Sequence, residues 1–283
     1  MDIAFATPEE REEIAVFMAE VFPRARWDIT GWRKLLAGRW ARAEDPYALR
    51  VRDKGKIVGC LGLVTARRPT ANGIAITSNM SSWYLLREYR GGGVGKRMLE
   101  LVTAQPGVTV TNLASAKNAA PVVEAAGFAR LDTKRHVWLP RPGPRFAVTD
   151  DPSLMPEVSQ MDRKVLSDHL GLNLARWAIM TPDGPCVLAL SVKQKHDDYV
   201  SHEVFYCGQR SLFARYAQTI ANSILPANGA VLASDSRFVL PEAEPAERIE
   251  ELPVPRYYTP GHMAPEDIDH MYSEIILLDL KMH

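Results

Sequence analysis

Apolar positions along the first 140 residues change period several times, and each change marks an element. Asp2–Ala6 is a short apolar run that reads as a strand. Thr7-Pro8-Glu9-Glu10 is a helix start, with Thr as N-cap, Pro in the first position and acids in the first turn. Ile14, Phe17, Met18 and Val21 then recur at helical spacing, and a second helix is predicted over Thr30 to Ala41. Tyr47–Arg52 and Ile57–Ala66 flank Asp53-Lys54-Gly55-Lys56, which reads as a hairpin turn. Ala75–Leu86 is a further extended segment. A glycine cluster, Gly91-Gly92-Gly93-Val94-Gly95, opens a helix with Val94, Met98, Leu101 and Val102 on one side. Val108–Leu113 reads as a strand, Ala119–Ala126 as a short helix ended by Gly127, and residues 133–139 as one more strand.

Pro140-Arg141-Pro142-Gly143-Pro144 can continue neither a helix nor a strand, because proline removes backbone donors. It places a domain boundary, giving domains 1–139 and 140–283. The second half follows a similar alternation, with Pro185–Val192 and Tyr199–Cys207 as strands, Ser211–Ile224 as a helix and Ala230–Ala233 as a strand. Pro241–Pro255 is acidic and proline-rich and is expected to be a surface loop. Ile275–Leu280 is expected to be a buried final strand. The strand–helix–strand order around 199–233 mirrors that around 75–112 without its glycines, as a degenerate duplication would.

Charge changes the picture more than composition does. The chain has 283 residues, 34 Lys and Arg against 34 Asp and Glu, so no net charge. Residues 1–140 hold 21 bases against 14 acids, and the remainder 13 against 20. Neutrality argues against a nucleic-acid binder, which needs a strong basic face. A positive first half suits a polyanionic small molecule. No apolar run approaches the ~20 residues of a membrane helix, and Met1-Asp2-Ile3-Ala4 lacks the order of a signal peptide. Cys60, Cys186 and Cys207 are too few and too scattered for a disulfide framework or a zinc site. The expectation is a cytoplasmic protein with no metal, no nucleic-acid partner and no membrane. An exposed sheet edge in either half could make it a homodimer.

The chemistry is concentrated in Trp83-Tyr84-Leu85-Leu86-Arg87-Glu88-Tyr89-Arg90-Gly91-Gly92-Gly93-Val94-Gly95-Lys96-Arg97-Met98-Leu99. A strand runs into a glycine turn, and the turn opens a helix whose N-terminus offers unpaired N–H groups and partial positive charge, a fit for pyrophosphate. A dinucleotide-binding turn would want its glycines after the first strand, and a P-loop would want Ser or Thr after Gly95-Lys96, where Arg97 stands.

Arg90-Gly91-Gly92-Gly93-Val94-Gly95 resembles the Arg/Gln-x-x-Gly-x-Gly/Ala motif of GNAT acetyltransferases, and Ala125-Ala126-Gly127-Phe128 resembles the Gly-Phe that closes that family's helix after the fifth strand. The element order over 1–139 is similar to that family's whole fold. The resemblance implies an α/β fold, a GNAT-like mixed central sheet flanked by helices, followed by a smaller second α/β domain. It also implies acetyl-CoA or another acyl-CoA as co-substrate, held by backbone around Leu85 and Leu86 and by amides from Gly91 to Lys96, with Arg90 and Asn118 nearby. The implied activity is transfer of an acyl group to the primary amine of a small metabolite. The alternative is a non-catalytic CoA-binding or regulatory module, since the family's tyrosine four residues before Gly-Phe is replaced by Val123 and the fourth strand carries no carboxylate.

Amine acylation needs a group to take a proton. Tyr84 is a candidate acid for the departing thiolate, against a packing role. His169 beside Asp168, His196 beside Asp197 and His202 beside Glu203 are candidate bases from the second half, each weighed against a solvated surface pair. In tandem proteins resembling N-myristoyltransferase the terminal carboxylate serves as base, which adds His283. Met80, Trp83 and Met98 could line a tunnel for a longer acyl chain or form core.

Overall fold

The computed structural model describes residues 1–152, 155–195 and 199–282. The chain forms two compact units. Unit 1 comprises Met1–Arg130, Arg256–Ala264 and Tyr272–Met282, and unit 2 comprises Leu131–Pro255 and Pro265–Met271. Unit 1 thus takes up two segments from late in the sequence.

In unit 1, strand β1 (Asp2–Phe5) leads through a 3-10 turn into helix α1 (Arg11–Val21). Thr7 and Glu10 form a reciprocal capping box at that start, as the sequence spacing requires. Helix α2 (Ile29–Leu36) is capped by Asp28, whose side chain accepts from the Thr30 amide at 2.8 Å. Strands β2 (Ala48–Asp53), β3 (Lys56–Thr70) and β4 (Gly73–Leu85) form an antiparallel meander. Ile57–Ala66 of β3 are all buried, which is why that segment lacks polar alternation. The inner faces of α1 and α2 (Ile14, Met18, Trp32, Leu35, Leu36) pack with Cys60 and Val64 of β3 into one core cluster. Helix α3 (Val94–Thr103) returns the chain to β5 (Val108–Asn112), which pairs parallel with β4. Helix α4 (Ala120–Ala125) ends at Gly127, in the left-handed region at φ +88°.

Unit 2 holds β6 (Ala129–Trp138), β7 (Val148–Thr149), helix α5 (Gln160–Asp168), β8 (Ala175–Thr181), β9 (Gly184–Lys195), β10 (Tyr199–Cys207), helix α6 (Arg210–Ile224) and β11 (Ala230–Asp235). Strands β8, β9 and β10 are an antiparallel meander, α6 connects β10 to β11, and β10 and β11 pair in parallel. This repeats the β2–β3–β4–α3–β5 order of unit 1. The likeness extends to a bulge: β10 carries one extra residue between Val204 and Tyr206 opposite β9, as β4 does between Ser81 and Tyr84 opposite β3.

Strand β12 (Arg248–Tyr258) is where the second half departs from its reading as a loop. Its acids are neutralised by β6, with Lys134 on Glu251 at 3.2 Å and Arg135 on Glu250 at 2.6 Å. Paired this way, an acidic and proline-rich segment can serve as a strand. Its last residues belong to unit 1, where Tyr257 and Tyr258 pair antiparallel with Asn112 and Thr111 of β5. The expected sixth strand of the N-terminal half, β6, instead pairs with β11 of unit 2, Trp138 opposite Leu232. Each unit is therefore completed by a strand from the other half of the sequence.

The expected final strand at Ile275–Leu280 is helix α7 (Glu274–Leu277), with Ile275, Ile276 and Leu277 buried as foreseen. A short apolar run cannot by itself separate strand from helix. Helix α5 and strand β8 were not apparent in the pattern at all.

Candidate active site

The parallel ladder between β4 and β5 runs from Ile76↔Val108 to Asn79↔Thr111 and stops there. Asn79 marks the end, its Nδ2 donating to Thr111 Oγ1 at 3.0 Å. Beyond it, the bulge in β4 turns the strand away, with Ser82 in the left-handed region at φ +51°, an uncommon conformation for serine. The opening between the diverging strands is a cavity of about 790 Å³, bordered by Met80–Leu85 on one side and Asn112, Ala114–Ala116 and Asn118 on the other. All residues that line it belong to unit 1.

At one end of this cavity lies the glycine turn. Gly91 and Gly93 have φ +84° and +79°, a region that costs a residue with a Cβ about 1–2 kcal/mol. Gly93 is the N-cap of α3, and the first intrahelical bond is Arg97 N–H to Gly93 O at 3.0 Å. The amides of Val94, Gly95 and Lys96 precede that bond, so they form the helix's donor-rich end. The space at Gly91, Gly92 and Gly93 is open, with no atom within 4 Å of where a Cβ would stand. Gly95 is different: a Cβ there would lie 2.9 Å from Trp83 Cζ2, so the indole covers the helix start. A phosphorylated ligand fits this cradle, which combines open backbone with the positive pole of a ten-residue helix.

The residues singled out in the sequence distribute as follows. Leu85, Arg90, Gly91, Gly93, Gly95, Lys96 and Asn118 line the cavity, with Tyr84, Met80 and Trp83. Gly92 and Leu86 lie outside the lining, and Val94 is buried. The Leu86 amide is engaged by Val58 O at 2.9 Å. Arg90 Nε donates to Leu85 O at 2.7 Å, and its guanidinium lies 5.1 Å over the Tyr84 ring, so Arg90 ties the turn to β4. Tyr84 is also packed edge-on against Phe22 at 5.3 Å. Lys96 is exposed and pairs loosely with Glu100 at 3.8 Å.

His202 and Glu203 lie in β10 of unit 2 and are not among the lining residues. Glu203 Oε1 is held by Lys195 at 2.7 Å and Arg135 at 3.5 Å, and burial pushes the His202 imidazole below its ordinary pKa. His169 is wholly buried, its Nδ1 2.7 Å from Val165 O. His196, Asp197 and His283 lie outside the described residues.

One charged lining residue escaped the sequence reading. Glu274, at the start of α7, is 3% exposed, and its Oε2 has no hydrogen-bond partner among the described residues. Its amide donates to Asn79 Oδ1 at 3.1 Å, which fixes it where β4 and β5 separate. Burial, partly offset by Arg256, raises its carboxyl to about 8. The sequence signal for it was slight, an acid at the head of an apolar run, Ser273-Glu274-Ile275-Ile276-Leu277.

In unit 2 the start of α6 is filled from within by Asp162, wholly buried, which accepts from Tyr206 Oη at 2.6 Å and Gln209 Nε2 at 2.9 Å. A Cβ on Gly208 would stand 2.1 Å from Asp162 Oδ1. The chain's own carboxylate occupies the position that the glycine turn leaves open in unit 1.

Residues 11–112 match the acetyltransferase (GNAT) family, the family that the glycine motif resembles. No match is found among the curated proteins. Among solved structures, the chain resembles a GCN5-related N-acetyltransferase from Anabaena variabilis ATCC 29413, at 11% identity and a TM-score of 0.56, covering 91% of this chain and 71% of that one. A GCN5-related N-acetyltransferase from Kribbella flavida gives 14% identity and a TM-score of 0.53, covering 91% and 70%. At such identities the likeness is one of fold. Among the described residues no helix is long and apolar enough to cross a membrane.

Proposed function

We propose that the protein is an acyl-CoA-dependent N-acyltransferase, with its co-substrate in the cleft between β4 and β5 of unit 1 and a small-molecule primary amine as acceptor. The observation that carries this reading is the cavity itself, whose lining includes both a cradle of open glycines at the N-terminus of α3 and a buried carboxylate, Glu274. The amides of Val94, Gly95 and Lys96 and the charge of Lys96 would hold the pyrophosphate, with Asn118 across the cleft. Acyl-CoA supplies an activated thioester. The chain's own groups orient it and exclude water, since Met80, Trp83 and Leu85 give that wall an apolar face. Acetyl is the acyl group we favour, and the cytoplasm the compartment.

A non-catalytic CoA-binding module is the competing reading, favoured by Val123 in place of the family's tyrosine. Val123 is wholly buried in α4, so no proton donor stands there. Calorimetric titration with acetyl-CoA separates these readings from a GNAT fold put to another use. Binding by the wild type that Gly93→Asp abolishes supports the site. Absence of binding in the wild type refutes both.

A further inference from the structure

We propose that Glu274 is the general base of the reaction and that its acceptor is a primary amine carried on an apolar body, an inference that rests on the acyl-CoA reading of the cleft. Three observations place the role on this residue. Among the described residues that line the cleft, Glu274 is the only carboxylate, and the other charged members, Arg90 and Lys96, belong to the glycine turn. Its Oε2 is buried with no partner among them, an arrangement that is costly unless a ligand supplies the missing donor. Its backbone is pinned to Asn79, the last ladder residue of β4 and six residues before the strand ends at Leu85. At ~3.3 Å per residue, that is roughly 20 Å of strand leading from the base toward the glycine turn. An extended acyl-CoA can bridge such a span, leaving its thioester toward Glu274.

The acceptor's chemistry follows from what lines the cavity. Phe22, Trp27, Leu61, Leu278 and Leu280 form a broad apolar part of it, beside the polar Ser81, Ser82, Asn112 and Ser115. A single carboxylate in a lining with a broad apolar part matches one ammonium on a largely apolar skeleton; a polycation would bury unpaired charge. Arg256 is the charged neighbour that acts on Glu274, and its Nη1 is bonded to Leu113 O at 2.9 Å. Burial disfavours the charged form, so Glu274 first gives up its own proton to solvent, and the carboxylate that results is a strong acceptor for a proton of the incoming ammonium.

In the step itself, Glu274 takes one proton from the ammonium and frees the nitrogen lone pair. The nitrogen attacks the thioester carbonyl carbon, the C–N bond forms, and the C–S bond breaks with its electron pair on sulfur. The thiolate takes the second nitrogen proton, and Glu274 releases the first to solvent. Asn79 acts as a positioning residue through the Glu274 amide.

The test uses the whole chain, acetyl-CoA and phenethylamine as probe acceptor, with spermidine as the polycationic comparison. Wild type is expected to release thiol with phenethylamine in preference to spermidine. Glu274→Gln should lower kcat at least about 100-fold, keep its calorimetric affinity for acetyl-CoA, and lose the rise of kcat/KM through pH 8 that the wild type shows. Glu274→Asp should recover part of the rate. A readout without turnover is the infrared band of a protonated carboxyl, present in the wild type below pH 8, lost above it, and missing from Glu274→Gln. Unchanged turnover in Glu274→Gln overturns the base assignment. No thiol release by a wild type that binds acetyl-CoA, or a preference for spermidine, overturns the acceptor class. Failure to bind acetyl-CoA at all refutes the parent reading instead, and the infrared band then still decides whether Glu274 is a buried acid.

Discussion

The side-chain carbonyl of Asn79 accepts the backbone N–H of Glu274 at 3.1 Å, joining residues 195 positions apart at the point where β4 and β5 separate. The same side chain's amide nitrogen donates to Thr111 Oγ1 at 3.0 Å. One asparagine thus closes the ladder and sets the acid of the cleft. Asn79→Ala removes both contacts, and the expected result is a loss of roughly 1–2 kcal/mol of stability, read as a lower midpoint in urea.

The stability of the protein should fall with rising pH in a window set by Glu274. Its folded-state carboxyl is raised to about 8 from an ordinary value of 4.5. Between those values the folded chain holds a proton that the unfolded chain does not. Its contribution is therefore full below pH 4.5, declines as pH climbs, and levels off above 8. Glu274→Gln should match the wild type near pH 4.5 and exceed it by roughly a few kcal/mol at about pH 9. Urea melts at both pH values check this, and equal differences at the two would refute it.

Substitutions in the glycine turn should separate strain from anion binding. Gly93→Ala costs about 1 kcal/mol in stability through its positive φ. Gly93→Asp adds a negative charge at the helix start and should weaken acetyl-CoA at least about tenfold. Thermal melts and calorimetry on the two variants give the comparison.

One acetyl-CoA per chain is the expected stoichiometry, because Asp162 fills the corresponding place in unit 2. Asp162→Ala leaves Tyr206 and Gln209 without their acceptor and should destabilise the protein by roughly 3 kcal/mol. It should not add a second site. A calorimetric stoichiometry of two for the wild type would contradict the assignment.

Cutting the chain at residue 140 should yield two pieces that do not fold separately. The first lacks the strand that pairs with Asn112 and Thr111, and the second lacks the strand that pairs with Leu232 and Ser234. Neither piece should unfold cooperatively by circular dichroism, and mixing them should restore acetyl-CoA binding.

Much of unit 1 was legible because its signals are local. Thr7 with Glu10 announces a helix start, Asp53 to Lys56 a hairpin, and the glycines an N-cap that only positive φ satisfies. The glycine turn that lines the cleft lies within one strand–turn–helix, and its geometry was readable for the same reason. Glu274 was not, since its meaning depends on Asn79, and no period in a sequence links positions so far apart. Strand β12 was hidden likewise: Glu250 and Glu251 read as solvated until Arg135 and Lys134 stand opposite.

The exchange of final strands also sets a timetable for synthesis. At about 5–20 residues per second, β5 waits roughly 6–25 s after Arg130 is made for Tyr257 and Tyr258 to cover its free edge. Until then β5, paired on one side with β4, leaves its other edge open to mispairing with other chains. The cleft, in turn, gains its acid only after residue 274 has been added.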